Sequence, residues 1–176
     1  GSEMCIRDSP YYEEKIDGKL FRIGPSSFFQ VNTPVFEKII DEVKAEIHND
    51  RVLDLYAGVG VIGVCVSQQS SSVLAVEENS AAVEDGNINV QINKTRNVDF
   101  VQDRVEDVLN KIDNADIAIL DPPRTGLTPA VISQLAALKI KKLLYLSCNP
   151  ATFARDARKI LDHTPKLKLK RIILFD

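Results

Sequence analysis

The chain has 176 residues, 44% hydrophobic and 27% charged, which is enough apolar material for one domain with a true core, or for one domain and a short appendage. No apolar run approaches the roughly 20 residues that span a bilayer, and three cysteines, at 5, 65 and 148, are too few and too scattered for a disulfide scaffold or a four-thiolate metal site. The net charge of −3 conceals an asymmetry: residues 1–138 hold 12 Lys/Arg against 22 Asp/Glu, whereas residues 139–176 hold 10 against 3.

A reduced, cytoplasmic protein without a membrane segment is therefore the expectation. The charge asymmetry fits a cationic ligand at one place and a polyanion at another, or a lysine-rich surface that serves only solubility. Gly1-Ser2 reads as a tag scar, and residues 1–9 lack periodicity, so they are set aside as a leader. Residues 10–50 read as a strand, a loop and a helix that lead into a larger domain over 51–176. Lys19-Leu20-Phe21-Arg22-Ile23 alternates as a strand does, and Gly24-Pro25-Ser26-Ser27 breaks it. Phe28-Phe29-Gln30-Val31-Asn32 follows. Thr33-Pro34 predicts an N-cap and a first-turn proline, ahead of an apolar stripe of Phe36, Ile39, Ile40, Val43 and Ile47.

From residue 51 onward, strands and helices alternate. Buried parallel strands are predicted at 51–55, 73–76, 99–101, 117–120 and 142–146, with helices near 61–67, 80–93, 105–111, 128–138 and 151–161. Residues 167–175 read as a final strand. The pattern predicts an α/β fold: a doubly wound, Rossmann-like sheet with helices on both faces and right-handed crossovers.

Gly58, Gly60 and Gly63 have G-x-G-x-x-G spacing after a strand, and Glu77 closes the next strand where a ribose-binding acid belongs. This is a dinucleotide fingerprint at face value, but Asp54 just before the turn would oppose a pyrophosphate resting on the loop. The same carboxylate suits a ligand carrying an ammonium and a sulfonium. S-adenosylmethionine has both, with a ribose for Glu77 and an adenine that Asp103 can meet at the end of the third strand. Ligands of open α/β sheets lie at the carboxyl ends of the strands, where Asp54, Glu77 and Asp103 all fall. A glycine turn that serves only a tight connection would leave those acids unexplained.

Asp121-Pro122-Pro123-Arg124 leaves the fourth strand stiffly, because two prolines fix φ and hold Asp121 in place. Cys148 follows the fifth strand among polar residues, at the start of a helix whose N-terminus favours a thiolate. Arg155 and Arg158 in that helix can reinforce the effect or hold a phosphate. Cys148 is thus a candidate nucleophile, whereas Cys65, inside a helix, reads as a small buried hydrophobe.

Four ordered motifs carry a resemblance. Phe28-Phe29-Gln30-Val31-Asn32, Asp54-Leu55-Tyr56-Ala57-Gly58-Val59-Gly60, Asp121-Pro122-Pro123-Arg124-Thr125-Gly126 and Ser147-Cys148-Asn149-Pro150-Ala151-Thr152 resemble those of the S-adenosylmethionine-dependent RNA (uracil-5-)-methyltransferases. The resemblance implies that Gln30, Tyr56, Glu77, Asp103 and Asp121 line the cofactor site and that Gly58 lets the cofactor approach the backbone. It makes Cys148 the thiolate that attacks carbon 6 of a uracil in tRNA or rRNA. Arg124, Arg155 and Arg158 are weaker candidates for RNA phosphates. Ala57 stands where many members carry cysteine, and Val61 where many carry a polar residue.

The family's proton acceptor is a glutamate beyond the final strand, so the resemblance also implies a catalytic domain cut short of its last strand. Poor turnover is then expected, with self-association as a homodimer through an open sheet edge. Two other readings stay open: a dinucleotide-dependent oxidoreductase built on the glycine loop, and a non-catalytic RNA-binding remnant built on the basic end.

Overall fold

The computed structural model describes residues 11–25 and 32–175. The leader of residues 1–9 and the candidate Gln30 lie outside the described residues. The first elements form an antiparallel hairpin, β1 (Tyr12–Ile16) and β2 (Lys19–Ile23). Its connection, Asp17-Gly18, has positive φ at both residues (52° and 72°), the geometry whose twist matches a two-residue hairpin turn. β1 is too polar to be read as a strand by itself; its partner makes it one. Helix α1 (Thr33–Ala45) follows. Its N-cap is Asn32, whose side chain accepts the Val35 N–H, so Thr33 is the first helical residue rather than the expected cap.

The remaining elements alternate as β3 (Asp50–Leu55), α2 (Val61–Val66), β4 (Ser70–Glu77), α3 (Ser80–Ile92), β5 (Val98–Gln102), α4 (Val105–Leu109), β6 (Ile117–Leu120), α5 (Pro129–Ala137), β7 (Lys142–Tyr145) and α6 (Pro150–His163). The five strands form one parallel sheet in the order β5-β4-β3-β6-β7. Thr128 caps α5 through the Val131 N–H, and Asn149 caps α6 through those of Ala151 and Thr152.

Two cores lie on the two faces of this sheet. Val52, Val73, Val98, Ile117 and Ile119 pack with the hairpin and with α1 and α2 on one side. Leu53, Leu55, Val76, Ala118 and Leu120 pack with residues of α4, α5 and α6 on the other. Burial on both faces is what a parallel sheet requires, and it explains the continuous apolar runs of its strands.

Residues 167–175 do not form the expected final strand. A strand exists only through ladder partners, and none flanks this segment among the described residues. Leu167 packs on the second core, whereas Lys170 reaches Glu46, the C-cap of α1, and Arg171 reaches Glu42 within that helix. Leu169, Ile172 and Leu174 remain exposed.

Candidate functional site

Strand order reverses direction at β3: the chain runs outward through β4 and β5, then returns to place β6 on the other side. Ligands of such sheets bind in the crevice at this switch point, beyond the carboxyl ends of the strands. The sequence candidates gather there because the ladder continues past the strands. Asp103 N–H donates to the Glu77 carbonyl (3.2 Å), Ala57 to Val76 (3.0 Å), Asp121 to Leu55 (3.4 Å) and Leu146 to Leu120 (2.7 Å). Glu77, Asp103, Tyr56 and Asp121 therefore stand on neighbouring strand ends, and Cys148 follows two residues after the last of these rungs.

Glu77 organises the glycine loop. One carboxylate oxygen accepts the Gly58 N–H at 2.9 Å and the other the Asn79 N–H at 2.8 Å. A carboxylate has about four lone-pair sites, so capacity for a ribose hydroxyl remains. Gly58 has φ of +54°, and nothing lies within 4 Å of where a Cβ would stand. The loop thus offers open space directly over its backbone. Tyr56 precedes it with φ of 65°, a left-handed conformation uncommon outside glycine and characteristic of functional turns. Burial, reinforced by Glu106, Glu78 and Asp156, pushes the Tyr56 phenol above its ordinary pKa.

Asp54 is not at the open rim where its position in the sequence suggested. The strand pleat turns it to the α2 side, where it is 1% exposed and one oxygen accepts the Gly63 N–H at 2.9 Å. The other oxygen is buried without a hydrogen-bond partner. Burial, with repulsion from Asp121 and Glu77, raises its pKa to about 7 against the lowering effect of the Gly63 N–H. Asp103 is partly exposed; the Arg104 N–H and Lys111 hold its carboxyl below the usual range.

A cleft of about 220 Å³ opens at this end of the sheet, lined by Tyr56, Glu77, Glu78, Arg104, Thr125 and Thr128 among others. Cys148 is exposed on the turn between β7 and α6, beside the capping Asn149, and Cys65 is buried as expected. Of the three arginines, Arg124 is exposed and Arg158 pairs with Asp162 one turn along α6. Arg155 is exposed but committed to Asp156 and to the Thr125 carbonyl.

The family model for tRNA (uracil-5-)-methyltransferases matches residues 12–176. The chain belongs to this family. It is 39% identical over 154 residues to an uncharacterized RNA methyltransferase of Thermotoga maritima, covering 85% of this chain and 35% of that protein. A tRNA (uracil(54)-C(5))-methyltransferase of Pyrococcus horikoshii is 37% identical over 181 residues, 96% of this chain and 44% of its own length. The structure of the Pyrococcus abyssi tRNA (uracil-54, C5)-methyltransferase in complex with S-adenosyl-L-homocysteine superposes with a TM-score of 0.79, at 32% identity over 86% of this chain and 38% of that one. Trm5b from the same organism, at 16% identity and a TM-score of 0.72, shares the fold. This uracil-5-methyltransferase family member spans less than half the length of the relatives it matches, and the family match sets aside the oxidoreductase reading.

Sequence reasoning did not single out Glu78, Thr128 or Asp156, whereas Thr125 stood inside one of the four motifs. Glu78 was hidden behind its neighbour Glu77. Asp156 looked like one more charge on a polar helix, and only its place opposite the 121–128 loop reveals it.

Proposed function

We propose that this chain is the catalytic part of an S-adenosylmethionine-dependent methyltransferase that modifies carbon 5 of a uridine in tRNA. The observation that carries the reading is the placement of an exposed thiol, Cys148, at the same end of the sheet as the glycine loop and Asp121. The open space above Gly58, and the cleft beside it that Tyr56, Glu77 and Glu78 line, fit a ligand with a sulfonium, an ammonium and a ribose. Tyr56, Glu77, Asp103 and Asp121 would hold it, together with Gln30 outside the described residues, while Asp54 supports the loop from beneath.

S-adenosylmethionine supplies an electrophilic methyl group there, which the activated carbon 5 of the base accepts. Activation is the task of Cys148. Its thiolate forms a bond to carbon 6, and the carbon 5–carbon 6 π pair moves toward carbon 5 and the carbon 4 oxygen, which makes carbon 5 nucleophilic. After methylation a base removes the carbon 5 proton, the pair restores the double bond, and the thiolate leaves. Asn149 fixes the turn by capping α6, which holds Cys148 next to that helix end.

The test is incubation with S-adenosylmethionine and a tRNA transcript containing 5-fluorouridine. Fluorine at carbon 5 cannot leave as a proton does, so the adduct should persist through denaturing electrophoresis and map to Cys148. Cys148→Ser should give none. Methyl incorporation on a nitrogen or a ribose, or an undiminished product from Cys148→Ser, overturns the reading.

A further inference from the structure

Asp156 on α6 is fully buried, which is costly for a carboxylate unless every lone pair is used. It is densely satisfied. One oxygen accepts the Leu127 N–H and the Tyr145 hydroxyl, each at 2.8 Å. The other accepts Arg155 Nε at 2.8 Å and pairs with its Nη2 at 2.7 Å.

These partners belong to three separate segments. Leu127 is in the loop that begins at Asp121, Tyr145 ends β7, and Arg155 is on α6 itself. Two more bonds close the same seam, from Arg155 Nη2 to the Thr125 carbonyl (2.8 Å) and from the Thr152 hydroxyl to the Arg124 carbonyl (3.1 Å). Gly126 makes the approach possible: its φ is +79°, and a Cβ there would lie 2.3 Å from both Asp156 and Thr152. Cys148 sits on the arc from Tyr145 to Asp156, whose two ends the hydroxyl–carboxylate bond joins. The rings of Tyr145 and Phe153 brace that arc, edge to face at 5.4 Å.

We infer that Asp156 is a positioning residue that fastens the 121–128 loop to the turn bearing Cys148, keeping the attacking sulfur and the Asp121 side of the site in one register. The catalytic consequence rests on the function proposed above; the mechanical coupling does not. Arg155 then acts through Asp156 instead of through an RNA phosphate.

Hydrogen exchange followed by mass spectrometry on the whole chain, without RNA, tests the coupling in Asp156→Asn, Tyr145→Phe and Arg155→Lys. Peptides over 122–128 and over 145–152 should speed up together, at least tenfold in Asp156→Asn, while β3 and β4 keep their rates. Adduct formation with the 5-fluorouridine transcript should slow at least tenfold, with S-adenosylmethionine affinity changed less than threefold, since Asp121 keeps its rung on Leu55. Arg155→Lys should retain part of the rate. Faster exchange throughout the sheet, loosening of one segment alone, or an unchanged adduct rate with both loosened overturns the inference. Should the wild type form no adduct, the cysteine reading falls and the exchange pattern alone decides the coupling. If Asp156→Asn does not fold, Tyr145→Phe, which keeps the carboxylate and Arg155, carries the same comparison.

Discussion

Asp54 is the penultimate residue of β3, and its buried carboxyl titrates at about 7 rather than near 3.8. The folded protein therefore holds this proton more tightly than the unfolded chain. That contribution to stability is complete below about pH 4 and is lost as pH rises toward 7. Asp54→Asn resembles the protonated acid and removes the dependence. The variant should match wild type near pH 4 and gain on it by up to about 4 kcal/mol by pH 8, from roughly three pKa units at 1.36 kcal/mol each. Denaturant titrations of both proteins at several pH values measure this, and a constant gap would show that Asp54 carries no such proton. The place of Asp54 near the strand end was legible in the sequence. Its face was not, because Leu53 and Leu55 on one side and Val52 on the other are all buried, so no alternation marks which way a residue points.

At the level of elements, the hairpin packs on α3 and has no further strand neighbour among the described residues. Asp85, Asn89 and Asn93, spaced one helical turn apart, replace the missing ladder. Asp85 accepts the Gly24 N–H, Asn89 accepts the Arg22 N–H and donates to its carbonyl, and Asn93 does the same for Leu20. Asn89 also donates to the Val59 carbonyl at 3.0 Å, which ties the hairpin to the glycine loop. Asn89→Leu would strand the buried Val59 carbonyl, at about 1–3 kcal/mol, and the two partly buried Arg22 groups, at less. A loss of roughly 2–4 kcal/mol in denaturant melts is expected, whereas a loss below about 1 kcal/mol would mean the ladder is ornamental. Helix α3 itself was legible from its ends, but the ladder was not, since asparagines at this spacing ordinarily mark a solvated face. Residues 167–175 erred in the opposite direction: their composition favours a strand, yet a strand needs a neighbour to pair with, and composition does not reveal one.

On the scale of the whole molecule, the basic character of residues 139–176 divides into two uses. Lys141 pairs with Asp116, Lys142 with Glu46, and Arg171 with Glu42 and Glu46, so these charges hold β7 and the following segment against the body of the domain. On α6, which starts beside Cys148, Lys159 is exposed with no ion pair among the described residues, and Arg158 is held only by the exposed i,i+4 partner Asp162. Such a pair contributes about 0.3–0.5 kcal/mol, so a phosphate can displace it. If RNA approaches Cys148 along α6, neutralising these two residues should remove about two phosphate contacts. The slope of log affinity against log salt should then flatten by roughly 1.4–1.8. Fluorescence anisotropy with a labelled tRNA transcript across a salt series compares Arg158→Gln/Lys159→Gln with Arg171→Gln, whose guanidinium is already committed to α1. Flattening in the first and not in the second places the RNA on α6; equal slopes in both would instead assign the basic segment to solubility and internal pairing.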